Sequence, residues 1–385
     1  MNIGFLYNHD VLHQVRHTAP VIAELVTMPT ASVTVFTSTA AQEAEVRALV
    51  GIATAARIRF VTLQAGALAE AIDRALRFIA PFRRIAVLKR NRDIFATLDA
   101  LVVPETTSLL LRDRFGLSNL KMVWIPHGAG DRSVGFRPVA RGFDRILLSG
   151  RKVRDRMLAA GIITPESGRI VGYPKFDTVD PRTALPPLFD NGRPTVVYNP
   201  HFDPRLSSWY AMGQAILNWF AQQDRFNLAF APHVMLFQRR LHASVEHRRL
   251  RWRTQIDPAV RDHRHLILDT GSQRSIDMSY TRAGDIYLGD ASSQIYEWIA
   301  RPRPAVFLNP GRIDWSDDPN FAHWRLGRVI ETMAELPAAL ADAASGADRF
   351  AEAQQRAFAE TFSIEAEPAS RRAAQAIVDL VAGSG

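Results

Sequence analysis

The chain of 385 residues contains no cysteine. That excludes disulfides, thiolate zinc sites and a cysteine nucleophile. Lysine is nearly as scarce, at positions 89, 121, 152 and 175 only, so the net charge of +8 is carried by arginine. No run of 18 or more apolar residues occurs, which argues against a membrane-spanning helix. The opening stretch Met1-Asn-Ile-Gly-Phe-Leu-Tyr-Asn lacks a basic segment and reads as a strand, not a signal peptide, so a cytoplasmic protein is expected. G-x-G-x-x-G, the P-loop and G-x-S-x-G are also missing, which argues against nicotinamide dehydrogenases, P-loop kinases and α/β-hydrolases.

What is present suits two globular domains. Hydrophobic residues make up 47% and charged residues 22%, enough for two cores and too little charge for disorder. The arginine bias fits genome composition, phosphate recognition, nucleic acid or an anionic membrane surface. The run Arg248-Arg-Leu-Arg-Trp-Arg253 is short and single. It reads as a solvated or membrane-facing patch. No nucleic-acid partner is therefore expected, and a peripheral contact with an anionic membrane stays open.

Strand and helix patterns alternate from the start. Strands are expected at 2–7, 32–37, 57–63, 84–88, 98–103, 122–125 and 145–148, with helices at 18–26, 41–50, 67–80, 106–114 and 152–160. Residues 181–194 hold four prolines and no periodicity, and read as a linker. The alternation then restarts, with strands at 195–198, 227–230, 265–269, 285–288 and 305–308 and helices at 208–222, from 235, near 274–281 and at 292–300. The last helix is expected at 370–381. The expected organisation is a doubly wound N-terminal domain at 1–183, a linker at 184–194, a second doubly wound domain at 195–365, and a helix at 366–385 returning to the first. Two such domains would face each other across a cleft lined by strand C-terminal ends, where ligands bind.

Candidate residues fall just after expected strands. Ser292 and Ser293 open a helix after the strand that ends before Asp290, so hydroxyls and free backbone N–H groups would meet a diphosphate there. Glu297, farther along that helix, would reach the ribose hydroxyls. An ordinary capped helix fits the same residues. His127 is followed by Gly128 and Gly130, which free its backbone to approach a ligand, and a neutral imidazole there suits a general base. Lys175, after the turn at Gly172 and Pro174, would face a phosphate. Asn199, His201 and His233 also stand at strand ends, where structural roles are equally open. His9, His13 and His17 are spaced by four, but no carboxylate cluster accompanies them, and no metal is expected.

Taken together, these motifs resemble the CDP-glycerol glycerophosphotransferase family, of the wall teichoic acid polymerase type. The matching residues run in order: His127-Gly128 with Arg132, Gly172-Tyr-Pro-Lys-Phe-Asp177, Pro200-His-Phe-Asp203, Pro232-His233, and Asp290-Ala-Ser-Ser293 with Arg301-Pro302. Lys175 stands where the family has Arg, Ala291 where it has Tyr, and Asp203 where it has Arg; His233 lacks the following proline. The resemblance implies a GT-B fold of two Rossmann-like domains. It implies a metal-independent transferase that needs no cofactor and moves a glycerol-phosphate or glycosyl group from a nucleotide-diphosphate donor to a cell-envelope polymer or polyprenyl-linked acceptor. Catalysis would fall to His127 and His233. Asn199, His201, Asp290, Ser292, Ser293 and Glu297 would hold the nucleotide diphosphate, and Gly128, Arg132 and Lys175 would contact phosphate or acceptor. Glu297, seven residues after Asp290, also resembles the ribose-binding acid of the non-hydrolysing UDP-N-acetylglucosamine 2-epimerases, so a UDP-sugar enzyme or a non-catalytic nucleotide binder of the same fold are the alternatives.

Overall fold

The computed structural model describes the chain except residues 10–11, 77–81, 245–246, 347–348 and 384–385. The chain divides into two compact units. Unit 1 comprises Met1–Ala129, Val134–Thr178 and Ala359–Gly385; unit 2 comprises Gly130–Ser133 and Val179–Phe358.

Unit 1 is built on a parallel sheet of β1 (Asn2–Tyr7), β2 (Ser32–Thr37), β3 (Arg59–Thr62), β4 (Ala100–Val103), β5 (Lys121–Trp124), β6 (Arg145–Leu148) and β7 (Gly168–Ile170). Their spatial order is β3-β2-β1-β4-β5-β6-β7. Five consecutive residues of β1 are buried. Helices on both faces leave such a strand no solvent side, so it is written in unbroken apolar residues. β1 pairs with both β2 and β4 (Ile3 with Val33 and with Ala100), so the strand order reverses between β1 and β4.

The helix Ala369–Ala382 belongs to this unit. Its Ala373, Ala374, Ala376 and Ile377 share one core with Ile3, Phe5 and Ile22. Its first turn is held by Asp177, whose carboxylate accepts from Ala369 N at 3.3 Å and Ser370 N at 2.6 Å. A carboxylate at that end satisfies free N–H groups and suits the helix dipole. Gly172 is required beside it. Its φ is +89°, and a Cβ there would lie 2.7 Å from both the Ser363 carbonyl and the Arg372 guanidinium.

Unit 2 repeats the plan with β8 (Thr195–Asn199), β9 (Asn227–Phe230), β12 (Leu266–Leu268), β13 (Ile286–Gly289), β14 (Ala305–Leu308) and β15 (Arg328–Ile330), all parallel, in the order β12-β9-β8-β13-β14-β15. Here the order reverses between β8 and β13. A separate antiparallel ribbon is formed by β10 (Leu241–Ser244) and β11 (Arg249–Trp252).

Several elements differ from expectation. The segment expected as a strand at 84–88 lies in the helix Phe82–Arg90, of which only Val87 and Leu88 are buried; a short apolar run does not distinguish the two states. The helix expected at 292–300 is the five-residue Gln294–Trp298, and the one expected from 235 is Met235–Gln238. The arginine run at 248–253 contains a strand. The expected helix at 67–80 is present as Ala67–Leu76; its end falls outside the described residues. Among the described residues, no helix is long and apolar enough to cross a membrane.

Candidate functional site

In unit 2 the candidate residues gather at the C-terminal ends of β8 and β13, where the strand order reverses. Ligands of open α/β sheets bind at such a place. Asp290, next after β13, is fully buried. Its Oδ1 accepts from His201 N at 2.8 Å and Ala291 N at 2.7 Å; its Oδ2 accepts from Ser208 N at 2.7 Å and Ser208 Oγ at 2.8 Å. The side chain thus fixes the loop after β8 onto the end of β13. Burial raises its pKa to about 6, against the four donors, which lower it. Asn199 is likewise occupied within the sheet. Its Nδ2 donates to Ala231 O at 2.6 Å and its Oδ1 accepts from Tyr287 Oη at 3.4 Å.

His201 is buried and has N–H donors against both ring nitrogens. Nδ1 accepts from Asp203 N at 3.0 Å, and Nε2 lies 2.9 Å from Arg132 Nη1. Burial, then the charge of Arg132, holds the ring's pKa well below 6.5. A neutral imidazole has one lone-pair nitrogen, so it accepts from one of these donors at a time. In the tautomer with the lone pair on Nε2 the guanidinium donates to the ring, and Asp203 Oδ2 lies 3.9 Å from Arg132 Nη2. His233 lies nearby, its ring tilted by 56° with its centroid 5.1 Å from that of His201, and its Nδ1 accepts from Met235 N at 3.2 Å.

Arg132 reaches this place because residues 130–133 belong to unit 2. Asp131 anchors them. It is buried, and its Oδ2 accepts from Tyr296 Oη at 2.6 Å and from His323 N and Nδ1 at 3.0 Å each. His323 Nε2 and Trp324 Nε1 both lie 3.1 Å from the Asp290 carbonyl oxygen. Asp131, Tyr296 and His323 were not expected as site residues. Asp131 stands inside a motif that draws attention to its neighbours, and His323 lies 192 positions away with no local mark.

Ser292 is buried, its Oγ accepting from Gln294 N at 3.3 Å. Ser293 is exposed, has helical dihedrals at the N-cap position and makes no side-chain cap. Gly130 is packed onto it, since a Cβ on Gly130 would lie 2.9 Å from Ser293 Cβ. Glu297 is buried on the short helix that follows.

In unit 1 a second set gathers where β1 and β4 part. The imidazole of His127 donates from Nδ1 to Pro104 O at 3.0 Å, just beyond β4. That fixes the neutral tautomer with its lone pair on Nε2. His127 is exposed overall, yet its ring is closely surrounded by protein atoms. This loss of hydration lowers its pKa, against the Pro104 carbonyl and the Glu105 carboxylate, which raise it. Glu105 is itself paired with Arg84 at 2.6 Å. His13 lies 5.4 Å from the His127 ring. His17 is buried edge-on to Tyr173; burial first, then the positive charge of Lys175, holds it well below 6.5. Lys175 is buried on the turn Pro174–Asp177, and Gly128 directly follows His127. The structure therefore brings His127, His17 and Lys175 together in unit 1, and Arg132, His201, His233, Asp290 and Ser292 together in unit 2. His9, His13 and His17 lie before and along the 3-10 turn Leu12–His17, not on an α-helix, and among the described residues no three His, Cys, Asp or Glu side chains form a metal-holding group.

No protein-family model and no curated protein matches the sequence. Solved structures do. The UDP-GlcNAc 2-epimerase of Neisseria meningitidis, bound to UDP-GlcNAc, superposes with a TM-score of 0.61 at 12% identity, over 100% of each chain. The S. aureus MnaA–UDP structure gives 0.59 at 11%, covering 99% of this chain and 97% of that one. The wall teichoic acid polymerase TagF, as a variant with CDPG, gives 0.58 at 12%, covering 99% and 88%. Identities this low bear on the fold alone. The chain has the two-domain, Rossmann-like GT-B fold, with a parallel sheet and flanking helices in each domain.

Proposed function

We propose that this protein is a GT-B transferase that moves a glycerol-phosphate or glycosyl group from a nucleotide-diphosphate donor, of CDP-glycerol type, to a cell-envelope polymer or lipid-linked acceptor. The observation that carries this reading is the grouping of Arg132 with His201 and His233 at the reversal point of the unit 2 sheet, Arg132 Nη1 lying 2.9 Å from His201 Nε2 and the two rings 5.1 Å apart. A guanidinium beside imidazoles in a largely buried setting offers charge-assisted hydrogen bonds to a phosphoryl oxygen. Asp290 acts through the backbone it holds, Ser292 and Ser293 flank the diphosphate, and Glu297 serves the ribose. His127 in unit 1 takes the proton of the acceptor hydroxyl on Nε2. The acceptor oxygen then bonds to the β-phosphorus, or to the anomeric carbon of a sugar, as the bond to the nucleotide phosphate breaks. Arg132 and His201 stabilise the departing phosphate, with His233 beside them, and Lys175 neutralises a phosphate on the acceptor.

A panel of nucleotides tests the reading by thermal shift. CDP is expected to raise the melting temperature more than UDP; stabilisation by neither sinks the proposal. A larger shift with UDP selects the second reading, a UDP-sugar enzyme of the same fold, the class to which the structure bound to UDP-GlcNAc belongs. Arg132→Met is expected to raise the donor KM by roughly 10- to 100-fold, the loss of one charge-assisted hydrogen bond, with nucleoside binding unchanged. Calorimetry showing equal losses for nucleoside and nucleotide diphosphate would place Arg132 elsewhere. Glu297→Gln is expected to weaken ribonucleotides and spare their 2′,3′-dideoxy analogues; equal losses would make the residue structural.

A further inference from the structure

We propose that the outward face of the β10–β11 ribbon docks on an anionic lipid bilayer. Leu241 pairs with Trp252 and Ala243 with Leu250 across the ribbon. Side chains alternate along a strand, so these four share one face, and His242, Ser244, Arg249 and Arg251 share the other. The second face is the inward one at β10. His242 and Ser244 are buried, and His242 Nε2 donates to the carbonyls of Leu236 at 3.0 Å and Arg239 at 3.1 Å. The first face is left to solvent: Trp252 is 69% exposed, Leu250 59%, and Ala243 is exposed between them.

The surroundings of this face say what covers it. Between residues 239 and 253 the chain has six arginines and one acidic residue. Arg240, Arg248, Arg249 and Arg251 are exposed, and among the described residues their guanidinium groups make no hydrogen bond or ion pair. An apolar face holding an exposed tryptophan, with the unpaired guanidinium groups of Arg240 and Arg248 just before its two strands and those of Arg249 and Arg251 on the exposed reverse of β11, matches the boundary of a bilayer. Tryptophan settles at headgroup depth, aliphatic side chains enter the acyl region, and arginine pairs with lipid phosphates. The proposal is independent of the donor chemistry. It does place the bilayer one ribbon thickness from the His201 loop, since the His242 ring lies 6.2 Å from that of Phe202.

The absence of cysteine makes a direct test possible. Ala243→Cys supplies a single thiol for an environment-sensitive fluorophore. Its emission is expected to rise and shift to the blue with vesicles of mixed phosphatidylcholine and phosphatidylglycerol and not with phosphatidylcholine alone. The same label at Asp93→Cys, in unit 1, is expected to stay silent. In flotation with the unlabelled chain, Leu250→Ser with Trp252→Ser is expected to weaken partition about tenfold. Arg248→Gln, Arg249→Gln and Arg251→Gln together are expected to remove the preference for the anionic lipid and its sensitivity to salt. A silent label at position 243, or variants that float like the parent, overturns the proposal. So does a serine pair that leaves flotation intact while abolishing binding to a single-stranded oligonucleotide or self-association, because the face then belongs to nucleic acid or to a second copy.

Discussion

His127→Ala is expected to lower the rate of group transfer by about two to four orders of magnitude, the usual cost of losing a general base, while nucleotide binding is unchanged. The geometry gives the reason for both halves. Pro104 O accepts a hydrogen bond from Nδ1–H at 3.0 Å, which keeps the proton on Nδ1 and leaves the Nε2 lone pair for an acceptor hydroxyl. His127 belongs to unit 1, whereas Arg132, His201 and Ser292 belong to unit 2. The pH profile supplies a second readout. A base works when neutral, and loss of hydration lowers the His127 pKa from 6.5. The acid limb of kcat/KM is therefore expected below pH 6.5, with activity kept into mildly acidic buffer. A variant with near-parental kcat, or one whose main defect is donor affinity, would remove His127 from this role.

Asp290→Ala is expected to be the most destabilising substitution in unit 2. It strands the N–H groups of His201, Ala291 and Ser208, while the Ser208 hydroxyl keeps Tyr198 Oη at 2.9 Å, and a stranded buried donor costs about 1–3 kcal/mol. Even partial rescue by relaxation leaves a loss of about 4 kcal/mol or more in urea unfolding. The difference depends on pH with a definite sign. The folded-state pKa of Asp290 is raised to about 6, above the unfolded value, so the native state holds the proton longer. Its contribution is complete below about pH 4 and is lost as pH rises through about 6, by an amount on the order of 2–3 kcal/mol. The gap between parent and variant is thus expected to narrow from pH 4 to pH 7. A gap that widens would mean the carboxylate is stabilised as the anion.

Buried parallel strands were the most legible part of the fold. Asn2–Tyr7, Ser32–Thr37, Arg145–Leu148, Asn227–Phe230 and Ala305–Leu308 lie where the apolar runs place them, because a strand covered on both faces has no need of polar positions. The segment Phe82–Arg90 was misread because its apolar run is too short to show a helical period. The ribbon escaped notice because β11 alternates arginine with Leu250 and Trp252 and buries none of them. Of the candidate site, the strand-end positions of His127, His201 and Asp290 were legible from small-residue and proline turns. Their partners were not. The bonds from Asp131 to His323 and from Asp290 to His201 span 192 and 89 positions, and separation of that order leaves no local pattern.

The return of the helix Ala369–Ala382 to the core of unit 1 bears on how the protein is made. Ala373, Ala374 and Ile377 complete a core whose other members include Ile3, Phe5 and Ile22, which are translated before Val179. Between Thr178 and this helix the ribosome must translate all of unit 2 from Val179 on, which takes about ten to forty seconds at roughly 5–20 residues per second. Throughout that interval the nascent first unit presents the groove for a helix that does not yet exist, while unit 2 emerges with its strands contiguous. Of the two units, the one begun ahead of Val179 is therefore completed after Phe358, and it is the one for which chaperones have the longer opportunity to bind.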